Sequence, residues 1–163
     1  MSPAHLPATL RVLSLLVLLP GCLRDHPQED GVYALRATDV ERDGCGLVGP
    51  DGDLGEIELA RHGNDMHGWL SIHGIALQGR YLQAVEAFRI AGDAASVSTE
   101  LEGRACTVPL VQATLEAETT LTGERANAAF TGTLHLAYRS PLDAACACEL
   151  RAGVEGTLLP ITP

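Results

Sequence analysis

The sequence predicts an all-β domain, an antiparallel meander of about eight strands closing as an up-and-down barrel, with a two-sheet β-sandwich as the alternative. Three observations predict it. Apolar and polar residues alternate with period two from Gly31 almost to the end of the chain, which is the pattern of half-buried antiparallel strands. Clusters of Gly, Asp and Asn separate the alternating runs, where tight turns belong. No stretch after residue 30 keeps the 3.6-residue apolar period of an amphipathic helix.

Strands are expected at 32–40, 55–61, 66–73, 77–90, 95–102, 110–121, 130–138 and 146–158. A turn at Gln83-Ala84 would raise the count from about eight to about nine. Along 66–73, His67, Trp69, Ser71 and His73 take one face, while Met66, Gly68, Leu70 and Ile72 take the other. Along 110–121, Val111, Ala113, Leu115, Ala117 and Leu121 face the core, and Gln112, Thr114, Glu116, Glu118 and Thr120 face solvent. Phe130, Gly132, Leu134, Leu136 and Tyr138 form the next inward row, against Thr131, Thr133 and His135. The intervening Thr122-Gly123-Glu124-Arg125 makes these two runs a hairpin. In the last run, Cys146, Cys148, Leu150, Ala152, Val154 and Leu158 point inward and Glu149, Arg151, Glu155 and Thr157 outward.

The N-terminal segment has a different character. Residues 1–21 contain no Asp or Glu and carry Arg11 before the apolar run Val12-Leu13-Ser14-Leu15-Leu16-Val17-Leu18-Leu19. That run is too short to span a bilayer and suits the h-region of a secretory signal. It ends in Leu19-Pro20-Gly21-Cys22, which resembles the lipobox of bacterial lipoproteins. The resemblance implies removal of residues 1–21 and acylation of both the Cys22 thiol and the new N-terminus. Several acyl chains, at about 0.8 kcal/mol per buried CH₂, anchor a protein where one chain would not. Leu23 follows the cysteine, in place of the Asp that retains lipoproteins on the inner membrane of enteric-type bacteria, so the outer membrane is favoured. Residues 22–30 are polar and aperiodic and read as a flexible tether, leaving 31–163 as a single domain. Its opening Gly31-Val32-Tyr33 resembles the Gly-x-Trp of the first lipocalin strand, with Tyr in place of Trp.

Apart from Cys22 the cysteines are Cys45, Cys106, Cys146 and Cys148. An even number in an exported domain predicts two disulfides. Residues two apart on a strand share a face but are poorly placed to bond each other. Cys146 and Cys148 are therefore expected to pair with Cys45 and Cys106, in either order. In an eight-strand meander the first and last strands are neighbours, and strand parity brings all four cysteines to one rim.

Composition limits the function. The 163 residues carry 21 Asp and Glu against 11 Lys and Arg, for a net charge of −10. Every one of those basic residues is Arg, and an acidic, Lys-free surface argues against a nucleic-acid partner. Gly-x-Ser-x-Gly, His-Glu-x-x-His and phosphate-binding Gly loops are absent, and Ser71, Ser96, Ser98 and Ser140 lack a nucleophile context. No catalysis and no cofactor is expected.

Three constellations stand out. His67 with His62 or Asp65 could bind a transition metal; His73 lies about 20 Å from His67 along an extended strand and cannot share the ion. A polar outer face explains them better, so no metal is expected. Asp39, Glu41, Asp43, Asp51, Asp53, Glu56 and Glu58 offer oxygens for Ca²⁺, yet the EF-hand glycine is missing and a solvated turn accounts for them. Finally, Tyr33, Phe88, Phe130, Leu134 and Tyr138 point into the barrel, which in this size class is either filled or holds one apolar ligand. The expected function is therefore a non-enzymatic, membrane-anchored lipoprotein of the bacterial envelope with a structural or protein-interaction role. The alternative is a lipocalin-like carrier of a small apolar ligand.

Overall fold

Eight antiparallel strands, each hydrogen-bonded to the next and the last to the first, form a closed barrel in sequence order. The computed structural model describes residues 28–120 and 128–160. The expected signal peptide, Cys22 and the turn 122–125 lie outside them. The strands are β1 (Gly31–Asp43), β2 (Asp53–His62), β3 (Asp65–Leu70), β4 (Ile75–Leu82), β5 (Ala87–Leu101), β6 (Arg104–Thr120), β7 (Ala129–Arg139) and β8 (Cys148–Leu158). Closure depends on β1 and β8, which pair from Tyr33↔Leu158 to Asp43↔Leu150. Register shifts between Ala37 and Asp39 and between Val40 and Arg42 bend β1 along that join. The sandwich alternative is excluded, because the sheet leaves no open edge.

The inward faces are those the alternation predicts. Val111, Ala113, Leu115 and Ala117 from β6, Phe130, Leu134, Leu136 and Tyr138 from β7, and Leu150, Ala152 and Val154 from β8 all lie in the core. Each fully buried Leu, Val or Phe contributes about 1.5–3 kcal/mol. Pairing of β6 with β7 from Leu110↔Arg139 to Thr120↔Ala129 makes the expected hairpin.

Three boundaries differ from expectation. The run 77–90 is two elements: β4 stops at Leu82, a 3₁₀ turn covers Gln83–Val85, and Glu86 closes it in the left-handed region at φ 49°. β5 then continues through 91–94, where a break was expected. Gly92 marks a close approach between strands rather than a turn, since a β-carbon built there would land on the carbonyl oxygen of Ala76. One expected strand is thus split and its second half joined to the next, so the count is still eight. β3 ends at Leu70, not at residue 73. The chain turns through Ile72–Gly74 with His73 at φ 59°, and Ser71 pins the turn by accepting the Glu56 N–H at 2.8 Å. β8 begins at Cys148, with Cys146 in a preceding 3₁₀ turn, Ala144–Cys146.

Both ends of the barrel are covered. At the end where β1 begins, Gln28 is buried and its Nε2 donates to the Tyr33 hydroxyl at 2.8 Å. That hydroxyl donates to the Glu29 carbonyl at 2.6 Å, and burial pushes its pKa up to about 12. Residues 28–30, expected to belong to the tether, are therefore held at the barrel, and residues 22–27 lie outside the described residues. At the same end Arg61 lies over the Tyr81 ring, 5.6 Å from its centroid. At the opposite end β5 and β6 outrun their neighbours. Fifteen residues of β5 would extend roughly 50 Å if straight. Instead the inward phase changes between Ala94 and Val97, with Ser96 at φ 55°. Beyond the bend Val97, Leu101, Cys106 and Val108 join the core.

All four domain cysteines meet at this second end. Cys45 bonds Cys148 and Cys106 bonds Cys146, across sequence separations of 103 and 40. The pairing left open by the sequence is thereby decided. Gly44 donates its N–H to the Glu149 carbonyl at 3.0 Å, which sets Cys45 beside Cys148. Cys146, one turn earlier, meets Cys106 on the folded tip of the β5–β6 hairpin.

Candidate functional site

The five residues expected to line a ligand cavity, Tyr33, Phe88, Phe130, Leu134 and Tyr138, belong to the core. The Phe130 ring centroid lies 5.4 Å from those of both Tyr33 and Phe88. A β-carbon at Gly156 would fall on the Phe130 ring. These side chains fill the interior with one another.

The hydroxyl of Tyr138 makes a part-buried polar contact that the sequence pattern misplaced. His73 was expected on the outer face with His67 and Trp69. The turn after Leu70 carries it to the core side, where Nε2 lies 2.6 Å from the Tyr138 hydroxyl. Burial lowers the His73 pKa. Burial, with Asp43 nearby, raises that of Tyr138. The phenol therefore keeps its proton, and the contact is a hydrogen bond between two neutral groups. Asp43 itself accepts backbone N–H bonds from Cys45, Leu47 and Val48 at 3.2, 3.1 and 3.0 Å, so it organises the loop after β1. A histidine with a lowered folded-state pKa takes up its proton more readily when unfolded. Its contribution is complete above the unfolded pKa of about 6.5 and is lost as pH falls below it. Wild type is accordingly expected to lose its stability advantage over His73→Asn between pH 8 and pH 5, measured as the difference in Tm.

The acidic residues do not converge. Glu41 pairs with Arg151 at 3.0 Å and Asp53 accepts the Gly55 N–H at 2.9 Å, while Glu56 and Glu58 stand on β2. Among the described residues, no group of three or more His, Cys, Asp and Glu is arranged to hold a metal ion. His62, Asp65 and His67 do come together at the β2–β3 hairpin, where Asp65 faces His62 in register. The two imidazoles meet edge to face with centroids 5.8 Å apart. They form an exposed ring pair.

Two walls of the barrel differ in their charge. Over β5 to β8 and the end of β1, Arg89 pairs with Glu116 at 3.1 Å, His135 with Glu149 at 2.6 Å and Arg42 with Glu149 at 3.5 Å. All are substantially exposed, so each pair contributes only about 0–1 kcal/mol. Arg89, Thr114, Glu116, Thr133, His135 and Arg151 line a polar recess of about 260 Å³ there. These pairs offset part of this wall's charge, while Glu118 on β6 and Glu155 on β8 are exposed there with no ion-pair partner among the described residues.

On the opposite wall, β2 and β3 place Glu58 opposite Trp69 and Ala60 opposite His67. β4 adds Ala76 opposite Trp69 and Gln78 opposite His67. Trp69 is the chain's one tryptophan and is 53% exposed. Its ring runs beside Gly74, where a β-carbon would come within 3.0 Å. Glu58, Ala60, His67, Gly68 and Trp69 line a cleft of about 230 Å³. The sequence grouped Glu58 with the acidic run and not with Trp69, because the two meet only through strand register. The two-residue link Gly63-Asn64 that sets this register is the signal that was available. Comparison with protein-family models, with curated proteins and with solved structures finds no match to this chain.

Proposed function

We propose that the protein is a lipid-anchored lipoprotein of the bacterial envelope, attached through Cys22 at the outer membrane, that acts as a protein-interaction module and catalyses no reaction. The observation that carries this reading is a barrel whose interior is occupied by its own side chains, which leaves recognition to the outer wall. A carrier of a small apolar molecule would need an interior of about 300 Å³ or more, in the space that Tyr33, Phe88 and Phe130 take up. Two disulfides suit an oxidising compartment outside the cytoplasm. The apolar run ending in Leu19-Pro20-Gly21-Cys22 supports lipidation.

The test is fractionation of the full chain made in a bacterium with lipoprotein-processing enzymes. Wild type is expected in the membrane pellet and detergent phase, with an N-terminal peptide starting at acylated Cys22. The Cys22→Ser variant is expected in the soluble fraction. Equal partitioning of the two would overturn the anchor.

A further inference from the structure

We infer that the Trp69 cleft is a docking point for the guanidinium of an arginine side chain presented by a protein partner. This inference rests on the interaction-module reading and supplies the chemistry of its contact. Four observations lead to it.

The first is the indole itself. A large apolar ring is left 53% exposed, with the small Ala76 directly across from it on β4 and Ala60 diagonal to it on β2, so neighbouring side chains leave room for a group to stack on it. The second is charge. Glu58 stands directly across from Trp69, and Glu56 is one outward position further along β2, on the same face. Among the described residues neither carboxylate has an ion-pair partner, as Glu118 and Glu155 on the other wall have none, but only Glu58 and Glu56 stand beside an exposed indole. The chain's net charge of −10 adds a field of the same sign.

The third is shape. A guanidinium is planar, stacks on an indole face and presents a fork of N–H donors that matches a carboxylate. An ammonium group has the charge without the plane. The fourth is size. The cleft, about 230 Å³, falls below the roughly 300–1,000 Å³ of sites that enclose a free small molecule. It suits one side chain whose remaining affinity comes from the surface carrying it. Val32, 37% exposed and opposite Glu58 on β1, extends the apolar margin that such a surface would cover.

Trp69 being the only tryptophan, the emission of the folded full chain in detergent micelles reports on this site alone. The probe is a capped tri-arginine peptide, compared with capped tri-lysine, tetramethylammonium and an N-acetylglucosamine trimer. Expected is a saturable emission shift with tri-arginine at sub-millimolar Kd in low salt, at least fivefold tighter than with tri-lysine. Glu56→Gln/Glu58→Gln, an exposed pair whose replacement leaves the fold intact, should weaken it tenfold or more, and salt should weaken it further. The inference is overturned by no saturable shift up to about 10 mM tri-arginine, a Kd near −2.7 kcal/mol of binding. It is equally overturned by unchanged affinity in the double variant, by tetramethylammonium binding as tightly as tri-arginine, or by a response to the sugar alone. Fractionation of Cys22→Ser reads the anchor and this titration reads the cleft, so the failure of one is distinguishable from the failure of the other.

Discussion

The double variant Cys45→Ser/Cys148→Ser is expected to lose about 2–5 kcal/mol of stability, a large part of the roughly 5–15 kcal/mol of a typical domain. Chain entropy explains why it should cost more than Cys106→Ser/Cys146→Ser. A bridge spanning 103 residues constrains the unfolded chain by about 4.7 kcal/mol, and one spanning 40 residues by about 3.9 kcal/mol. Geometry adds to the difference. Cys45–Cys148 sits just past the Asp43↔Leu150 pair that ends the β1–β8 join, and that join links the strands farthest apart in sequence, whose closure is entropically the most costly. Beyond Arg36↔Asp53, β1 pairs with β8 alone, so residues 37–43 depend on the bridge to stay in place. Loss of Cys106–Cys146 instead frees the hairpin tip and uncovers Val97, Leu101 and Val108. Denaturant titration with hydrogen exchange checks both statements. Exchange is expected to rise along 37–43 in the first variant and along 97–108 in the second. Labelling of the unfolded, unreduced wild type should find no reactive thiol among Cys45, Cys106, Cys146 and Cys148; two would mean that one bridge is absent and four that neither forms.

Where strands face solvent on one side only, alternation was enough to place them. β6 from Val111, β7 and β8 carry long alternation, and the inward residues read from the sequence there lie in the core; the phase shift of β6 at Pro109-Leu110 and the burial of Ala137 on β7 were not legible. The common rim of the cysteines followed from strand parity. Their pairing did not, because both orders satisfy parity and the choice depends on which cysteine begins β8 and which lies in the turn before it. The split at Gln83–Val85 was missed as a firm boundary because Glu86 takes the left-handed region without being Gly or Asn, and Leu82 and Val85 are exposed although apolar. Ala91-Gly92-Asp93-Ala94 resembles a turn in composition but is the middle of β5. At the candidate site Trp69 and His67 were legible as outward residues. His73 was not separable from them, since a period-two pattern continues formally through Ser71 and His73 while the backbone has already turned. Glu58 joins Trp69 through pairing alone, which no single-strand pattern contains.

The second large effect concerns Gly92 and Gly156, where replacement by alanine should destabilise although alanine normally stabilises a strand by roughly 0.5–1 kcal/mol relative to glycine. Both residues lie on inward-facing rows of a small barrel whose strands coil tightly over one another. A β-carbon at Gly92 would land on the Ala76 carbonyl oxygen, and one at Gly156 would land on the Phe130 ring. Overpacking of a core costs about 1–3 kcal/mol. The two sites should differ in how the cost is relieved. At Gly156 the obstacle is a side chain, so Gly156→Ala/Phe130→Leu should recover part of the loss of Gly156→Ala, with a coupling of about 0.5–3 kcal/mol in a double-mutant cycle. At Gly92 the obstacle is the backbone of β4, which no side-chain truncation moves. Gly92→Ala is therefore expected at about 3 kcal/mol or above and to stay there when Leu77 or Ala113 is trimmed. Equal rescue at both positions in urea titrations would mean that the strands can separate at Gly92. The barrel's curvature would then be set by side-chain packing and not by the glycine contact between β4 and β5.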